Sequence, residues 1–300
     1  MTELARQAAT GLDTDGGMGG QAVLDRLVAL LDLERIEENI YRGVSPAHSP
    51  TRVFGGQVAG QALVAAGRTV PEERGVHSLH AYFIRPGDPE VPIVYEVDRI
   101  RDGRSFTTRR VVAVQHGKAI FSLSASFQLT ESGVEHGEPM PDVADPESLP
   151  TLPQRAEGYE ELGLRALPRP IDLRYVHDPP WVSRSTGEPP ERNRVWMRAD
   201  GTLPDDRLLH VCVLAYASDM TLLDSVLARH GVYWDFDKVL GASLDHALWF
   251  HRPFRADEWF LYDSTSPTAS GGRGLATGRL FTRDGAHIAT VVQEGLIRVL

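Results

Sequence analysis

One cysteine, Cys212, stands among the 300 residues, so no disulfide can form within the chain and a reducing cytoplasm is the expected setting. No apolar run is long enough to span a bilayer and nothing resembles a signal peptide, which argues against membrane insertion and secretion. Positive charge is short as well: 31 Lys and Arg face 41 Asp and Glu, a formal net charge of −10. Nucleic acid and anionic membrane both demand a basic footprint, so neither is an expected partner, although a local basic pocket for a small anion is compatible with the total. Also missing is a G-x-S-x-G nucleophile elbow. Gly271-Gly272-Arg273-Gly274 resembles a phosphate loop only superficially: it lacks the Lys-Ser/Thr ending and the strand-to-helix setting, and reads as a hairpin. The 11 histidines show no metal pattern. His77/His80 and His246/His251 lie on strand-like segments with no acidic or thiolate companion at ligand spacing, so no metal site is expected.

What is present is ordinary globular material, 42% hydrophobic and 24% charged, enough for one large domain or two of about 100–150 residues. The chain is organised around G-A-S-L-D-H-A-L-W-F-H-R-P, residues 241–253. Its period-2 alternation predicts a central strand with Ser243, Asp245, Ala247 and Trp249 on one side and Leu244, His246, Leu248 and Phe250 on the other. A similar phrase, S-L-H-A-Y-F-I-R-P, occupies residues 78–86. Downstream, Gly103-Arg104-x-x-x-Thr108-x-Arg110 matches Gly272-Arg273-x-x-x-Thr277-x-Arg279 at an offset of 169, and Gly117 meets Gly285 at 168. The chain is a tandem repeat.

Each copy reads as one helix followed by an antiparallel meander, an α+β unit whose open sheet edges the other copy can cover. In the first, small residues across 58–70 predict a buried helix lying close against a sheet. Four strands follow at 76–84, 91–100, 105–114 and 119–128, with hairpin signals at Asp102-Gly103 and His116-Gly117. In the second, Pro204-Asp205-Asp206 opens a helix that is apolar nearly all round. The expected division is a flexible Gly-rich tail over 1–19, a first unit over 20–129, an acidic linker with seven prolines over 130–170 and a second unit over 171–300.

Three polar residues in apolar company draw attention. Asp219 lies between Leu214-Ala215 and Met220, Leu222 and Leu223, where an unpaired carboxylate would be costly. Either it has partners, or Ser218 or Asp219 merely caps a helical turn from Met220 to Arg229. Gln293 interrupts an apolar terminal strand, for which a cross-strand hydrogen bond is the plain reading. Ser243 alone is an unremarkable strand serine. A carboxylate, a hydroxyl and a carboxamide can together hold one water beside a carbonyl carbon. Cys212, on the apolar helix, reads as a small core residue.

The motifs Phe54-Gly-Gly-Gln-Val-x-Gly-Gln-Ala-Leu63, His77-Ser-x-His80, Phe83-x-Arg-Pro-Gly-Asp88, Arg101-Asp-Gly-x-Ser-Phe106 and Ala125-Ser-Phe-Gln128 fill the first copy. Ala215-Tyr-x-Ser-Asp219, Asp245-His-x-x-Trp-Phe-His-Arg-Pro-Phe254, Glu258-Trp259 and Val292-Gln-Glu-Gly295 fill the second. From about residue 20 onward the chain therefore resembles the bacterial acyl-CoA thioesterase II family, the TesB type, whose members are double hotdog proteins. That resemblance implies hydrolysis of fatty acyl-CoA, of medium to long chain, to free acid and CoA. Matched by motif, it implies Asp219, Ser243 and Gln293 as the hydrolytic residues, Ser243 standing where many members carry Thr. It implies no cofactor, CoA being part of the substrate, and a homodimer or homotetramer. In the repeat Ser78 matches Ser243, whereas Gln293 falls opposite Ala125, so one hydrolytic centre per chain is expected, in the second copy, with the first open to packing and to acyl or CoA binding. Backbone donors for an oxyanion are placed near Gly55 and Gly56. Arginines 52, 85, 104, 252 and 273 are candidates for the CoA phosphates, none of them assigned. Two rivals remain: an acyl-CoA-binding module without catalysis, and an enoyl-CoA hydratase of the same fold. The hydratase needs an Asp/His pair, and Asp245-His246, adjacent on a strand, point to opposite faces.

Overall fold

The computed structural model describes residues 19–46, 52–159, 169–183, 191–235 and 238–300. The tail assigned to 1–19 thus falls almost wholly outside the described residues, as do 160–168 of the proline-rich stretch. The first half comprises α1 (Gln21–Leu31), β1 (Glu34–Glu37), β2 (Ile40–Gly43), α2 (Gly55–Gly67), β3 (Arg74–Phe83), β4 (Ile93–Asp102), β5 (Phe106–Gln115) and β6 (Lys118–Leu129). A short α3 (Leu152–Arg155) lies between the halves. The second half comprises β7 (Ile171–Tyr175), α4 (Pro180–Ser183), β8 (Asn193–Ala199), α5 (Arg207–Ser218), α6 (Asp224–Ala228), β9 (Val239–Ser243), β10 (Asp245–Phe250), β11 (Phe260–Ser270), β12 (Arg273–Thr282) and β13 (His287–Val299).

All the strands join one antiparallel sheet, in the order β1-β2-β4-β5-β6-β3-β10-β13-β12-β11-β8-β7, with β9 on the far end of β13. The two repeated phrases meet at its centre: β3 and β10 pair antiparallel, from Asp245↔Tyr82 to Trp249↔Ser78. Each meander thereby covers the other's open edge. The meanders turn where the chain can turn tightly. His116 and Gly117 have φ of 49° and 69°, and Gly271 and Gly272 have 57° and 73°, the paired positive angles of two-residue hairpins. Gly271-Gly272-Arg273-Gly274 is therefore the β11–β12 hairpin, not a phosphate loop.

Helices α2 and α5 run antiparallel in the curl of the sheet, and small residues set their separation. A Cβ on Gly56 would lie 2.4 Å from the Tyr216 carbonyl oxygen, one on Gly60 3.3 Å from that of Cys212, and one on Gly67 2.5 Å from Leu208. The sequence reading gave the small residues of α2 to contact with a sheet; these glycines serve helix–helix contact instead, because only a missing side chain lets two backbones approach so closely. The apolar core fills the space between the helices and the inner face of the sheet. Between the halves, residues 138–149 lie on the outer face of the second. There Met140, Val143 and Leu149 pack against Trp196, Leu261 and Phe281, the Trp196 indole donates to the Ala144 carbonyl (2.9 Å), and Arg283 pairs with Asp145 and Glu147.

Candidate functional site

The site lies where α5 ends and α2 begins. Asp206 starts α5, its carboxylate accepting the backbone N–H groups of Leu208 and Leu209 at 2.9 and 3.2 Å. The helix runs buried from His210 to Ser218, and Asp219 follows as its C-cap. A carboxylate at a helix C-terminus faces the negative end of the helix dipole and needs compensation. The antiparallel partner supplies it: the Gly56 N–H, in the first turn of α2, donates to the Asp219 carboxylate. The carboxylate lies so close to the start of α2 that a Cβ on Gly55 would fall 2.7 Å from its Oδ2 atom and 2.8 Å from the Phe83 ring.

Two side chains from the sheet complete the cluster. Gln293 Nε2 donates to Asp219 Oδ1 at 2.6 Å, and Ser243 Oγ lies 3.4 Å from the same oxygen. Gln293 belongs to β13, is fully buried and faces inward beside Gly295, whose missing side chain leaves room for Leu223. Two acceptors cannot face each other, so contact with a carboxylate fixes the carboxamide with its nitrogen toward Asp219. Gln293 Oε1 is then left buried with no donor among the described residues.

Ser243 reaches the site through an irregularity. The sequence predicts one strand with Ser243 on the side of Asp245, Ala247 and Trp249; the structure breaks it at Leu244. Ser243 pairs with Gly295 and Ala247 with Val292, five residues on one strand against four on the other. Such a bulge reverses the facing of everything beyond it. Ser243 consequently points inward, on the same side as His246 rather than Asp245. The repeat match with Ser78 fails for the same reason. Phe127, which is 168 residues before Gly295, pairs with Val76, so Val76 is the ladder counterpart of Ser243.

Burial pushes the Asp219 carboxyl up to about 6, opposed by the donors Gln293, Gly56 and Ser243 and by the nearby positive charge of Arg52. The group is thus ionised at neutral pH yet basic enough to take a proton from a bound water. The alternative of a cap starting the helical turn that follows is not what the structure contains. Helix α6 has Leu223 at its N-cap position with no side-chain cap, and the Ser218 hydroxyl turns back to the Ala215 carbonyl (2.9 Å) and to His246 Nε2 (2.8 Å). His246 itself is held neutral, its pKa driven down to about 3 by burial. Asp245, on the other face, accepts the Glu294 N–H at 2.7 Å, so the two do not form a hydratase pair.

The remaining candidates take structural places. Cys212 is buried, which pushes its thiol pKa well up and leaves it a packing residue. His77 bonds to Ser126 (2.8 Å), His80 packs edge-on against Trp249, and His251 bonds to Thr290 (2.9 Å). No group of three metal-ligating side chains occurs among the described residues. Of the arginines, Arg85 donates to the Ala119 carbonyl, Arg252 to those of His287 and His136, and Arg273 pairs with Glu294. Arg52 stands apart, because it donates to the Gly241 carbonyl (2.9 Å) and its charge reaches Asp219. Sequence reasoning placed Gly55 and Gly56 as oxyanion donors; the Gly56 N–H is instead spent on the carboxylate. It put the hydrolytic residues in the second half, where Asp219, Ser243 and Gln293 meet; the first half adds the Gly56 N–H and the charge of Arg52. The Phe54-Gly-Gly-Gln motif was the available signal for that contribution.

A helix in the curl of an antiparallel meander, made twice on one sheet, defines a double hotdog. A solved protein from Alicyclobacillus acidocaldarius described as having a hot dog fold shares the architecture at a TM-score of 0.74 and 20% identity, covering 92% of this chain and 98% of that one. Sequence comparison narrows the class. The family described as "Acyl-CoA thioesterase" matches residues 168–296, and "Acyl-CoA thioesterase N-terminal domain" matches 44–128. Acyl-coenzyme A thioesterase 8 of Mus musculus is 43% identical, over 95% of this chain and 92% of that protein. Acyl-CoA thioesterase 2 of Haemophilus influenzae is 39% identical, over 92% and 98%. The solved acyl-CoA thioesterase II TesB2 of Mycobacterium marinum is 46% identical at a TM-score of 0.76, over 92% and 98%. The chain belongs to the acyl-CoA thioesterase family.

Proposed function

We propose that the chain hydrolyses fatty acyl-CoA of medium to long chain to free acid and CoA, by direct attack of water and with no cofactor. The observation that carries the mechanism is the convergence of Gln293 and Ser243 on one oxygen of Asp219, with a helix start on the carboxylate's other side. Water held by Gln293 Oε1 and the Ser243 hydroxyl gives its proton to the Asp219 carboxylate as its oxygen bonds to the thioester carbon. The carbonyl oxygen becomes an oxyanion beside the first turn of α2. There Gly55, Gly56 and Gln57 precede the first N–H bonded back into the helix, that of Val58 to the Phe54 carbonyl at 3.3 Å. With Gly56 committed to Asp219, Gly55 and Gln57 are the donors assigned to the oxyanion. Collapse breaks the C–S bond and CoA leaves as a thiolate, which takes up the proton that Asp219 received from the water and so restores the carboxylate. A thiol of ordinary pKa, about 8.5, leaves readily, so the site needs no strong general acid.

The same reading makes the working form a cytoplasmic homodimer or homotetramer. Among the described residues no helix is long and apolar enough to cross a membrane. At the centre of the sheet the outer face carries Ser122, Ser124, His80, Ala247 and Trp249 around Tyr82, which is 66% exposed, with Asp245 opposite Tyr82 and Arg110 opposite Ser124. Thiol release from a chain-length series of acyl-CoA substrates, run beside water addition to an enoyl-CoA and equilibrium binding, tests the function. Hydrolysis is expected, with an optimum among the medium to long acyl chains. Binding without thiol release, or hydration alone, rejects it.

A further inference from the structure

Ser243 holds Asp219 less closely than Gln293 does, at 3.4 Å against 2.6 Å, and it closes a strand with little support of its own. Among the described residues, β9 pairs along one edge only, with β13. Beyond Ser243 the bulge at Leu244 interrupts the ladder, so what packs on β9 decides where the hydroxyl sits. Two contacts converge on Gly241, two residues before Ser243 and therefore on the same face of the strand. From the first half, Arg52 donates to the Gly241 carbonyl at 2.9 Å. From the second, the Trp234 ring meets the glycine edge-on: a Cβ there would meet its Cζ3 and Cη2 atoms at 2.0 and 2.5 Å.

That ring is itself held. The Trp234 indole N–H donates to Asp224 Oδ1 at 2.7 Å, and Asp224 also takes a hydrogen bond from the Tyr175 hydroxyl. Asp224 is buried at the start of α6, where an apolar residue would serve packing better than a carboxylate that must be desolvated. A buried acceptor with two aromatic donors fixes the angle at which the indole meets the strand. We infer that Trp234, anchored by Asp224, is a positioning residue for Ser243, setting through Gly241 the place of the hydroxyl beside Asp219. The inference rests on the role proposed for Ser243, and it gives Trp234 and Asp224 a purpose beyond filling the core.

A double-mutant cycle on thiol release separates this role from simple packing. Trp234→Phe keeps an aromatic ring but loses the indole N–H and the ring edge lying on Gly241. In the otherwise unchanged enzyme it should lower kcat about tenfold with KM within about twofold. In the Ser243→Ala background the same change should cost less than about twofold, since there is no hydroxyl left to misplace. Gly241→Ala, which drives the ring off from the strand side, should show the same pattern and guards against a folding defect peculiar to Trp234→Phe. Equal losses in both backgrounds, or no loss in either, overturn the inference while leaving Ser243 its role. Full activity of Ser243→Ala alone overturns the role of Ser243 and the inference with it.

Discussion

The two halves of the sheet come from one pattern and differ at the ends of their helices. Both α2 and α5 finish near the start of the other. At one junction the C-cap of α5 is Asp219, and the start of α2 has no side-chain cap, Phe54 standing at its N-cap position. The first-turn N–H groups of α2 are thereby left for a carboxylate and a substrate. At the opposite junction the C-cap of α2 is Arg68, donating to the Leu33 carbonyl (2.5 Å), and α5 is already capped by Asp206. Buried Arg109 closes that corner with bonds to Thr69 Oγ1 (2.8 Å) and Asp102 (2.6 Å). On the sheet, Ala125 faces the place that Gln293 takes in the second half, and Val76 that of Ser243. Duplication thus made two equivalent junctions, one with its helix ends capped by Arg68 and Asp206 and one with a helix start left uncapped. Unspent hydrogen-bonding capacity in a buried corner is what water and a carbonyl can use.

Giving the active junction the residues of the silent one should break this asymmetry. Gln293→Ala, which copies Ala125, is expected to lower kcat about 10²–10³-fold while the protein stays folded, measured by thiol release and by melting. The converse Ala125→Gln should create no second centre and should cost about 1–3 kcal/mol for a buried carboxamide without partners. Gly55→Ala sets a methyl against the carboxylate and the Phe83 ring, and is expected to reduce kcat about 10–100-fold with little change in melting temperature.

A smaller effect sharpens the electrostatic side. Asp219 must be ionised to act as a base, so kcat/KM should rise with pH through about 6 and level off above it. Removing the positive charge in Arg52→Ala destabilises the carboxylate form and should move that limb to higher pH, an effect that salt diminishes. Smallest of all, Asp206→Ala at the silent junction should cost about 1 kcal/mol of stability and leave kcat unchanged, as seen by melting and steady-state rates.

The fold was legible because the repeat was. Residues 78–86 and 241–253 announce the same strand twice, and the hairpins at His116-Gly117 and Gly271-Gly272 are written in residues that accept positive φ. Asp219, Ser243 and Gln293 could be named from motif resemblance, and the structure brings Ser243 and Gln293 within hydrogen-bonding range of Asp219. What the sequence did not reveal was how they meet. Unbroken alternation through Ser243, Leu244 and Asp245 hides a bulge, since a bulge changes the register between two strands and leaves no mark on one strand alone. The Phe54-Gly-Gly-Gln motif pointed to backbone donors at the start of α2, but not to which N–H meets the carboxylate, because every residue but proline has one. The seat of Trp234 on Gly241 was equally silent, a contact made possible by an absent side chain.

The central claim is that Asp219 is the base, kept reactive by burial and restrained by donors from both halves. Asp219→Asn tests it most directly. The account predicts a loss of at least about hundredfold in thiol release, without the limb near pH 6, from a protein that remains folded. It also predicts no loss of stability at pH 8. A carboxyl whose folded pKa is raised from 3.8 to about 6 leaves stability intact at low pH and lowers it as pH rises through that window, by at most about 3 kcal/mol, which a neutral amide does not incur. Turnover within a few-fold of the unaltered enzyme, still rising through pH 6, would contradict it.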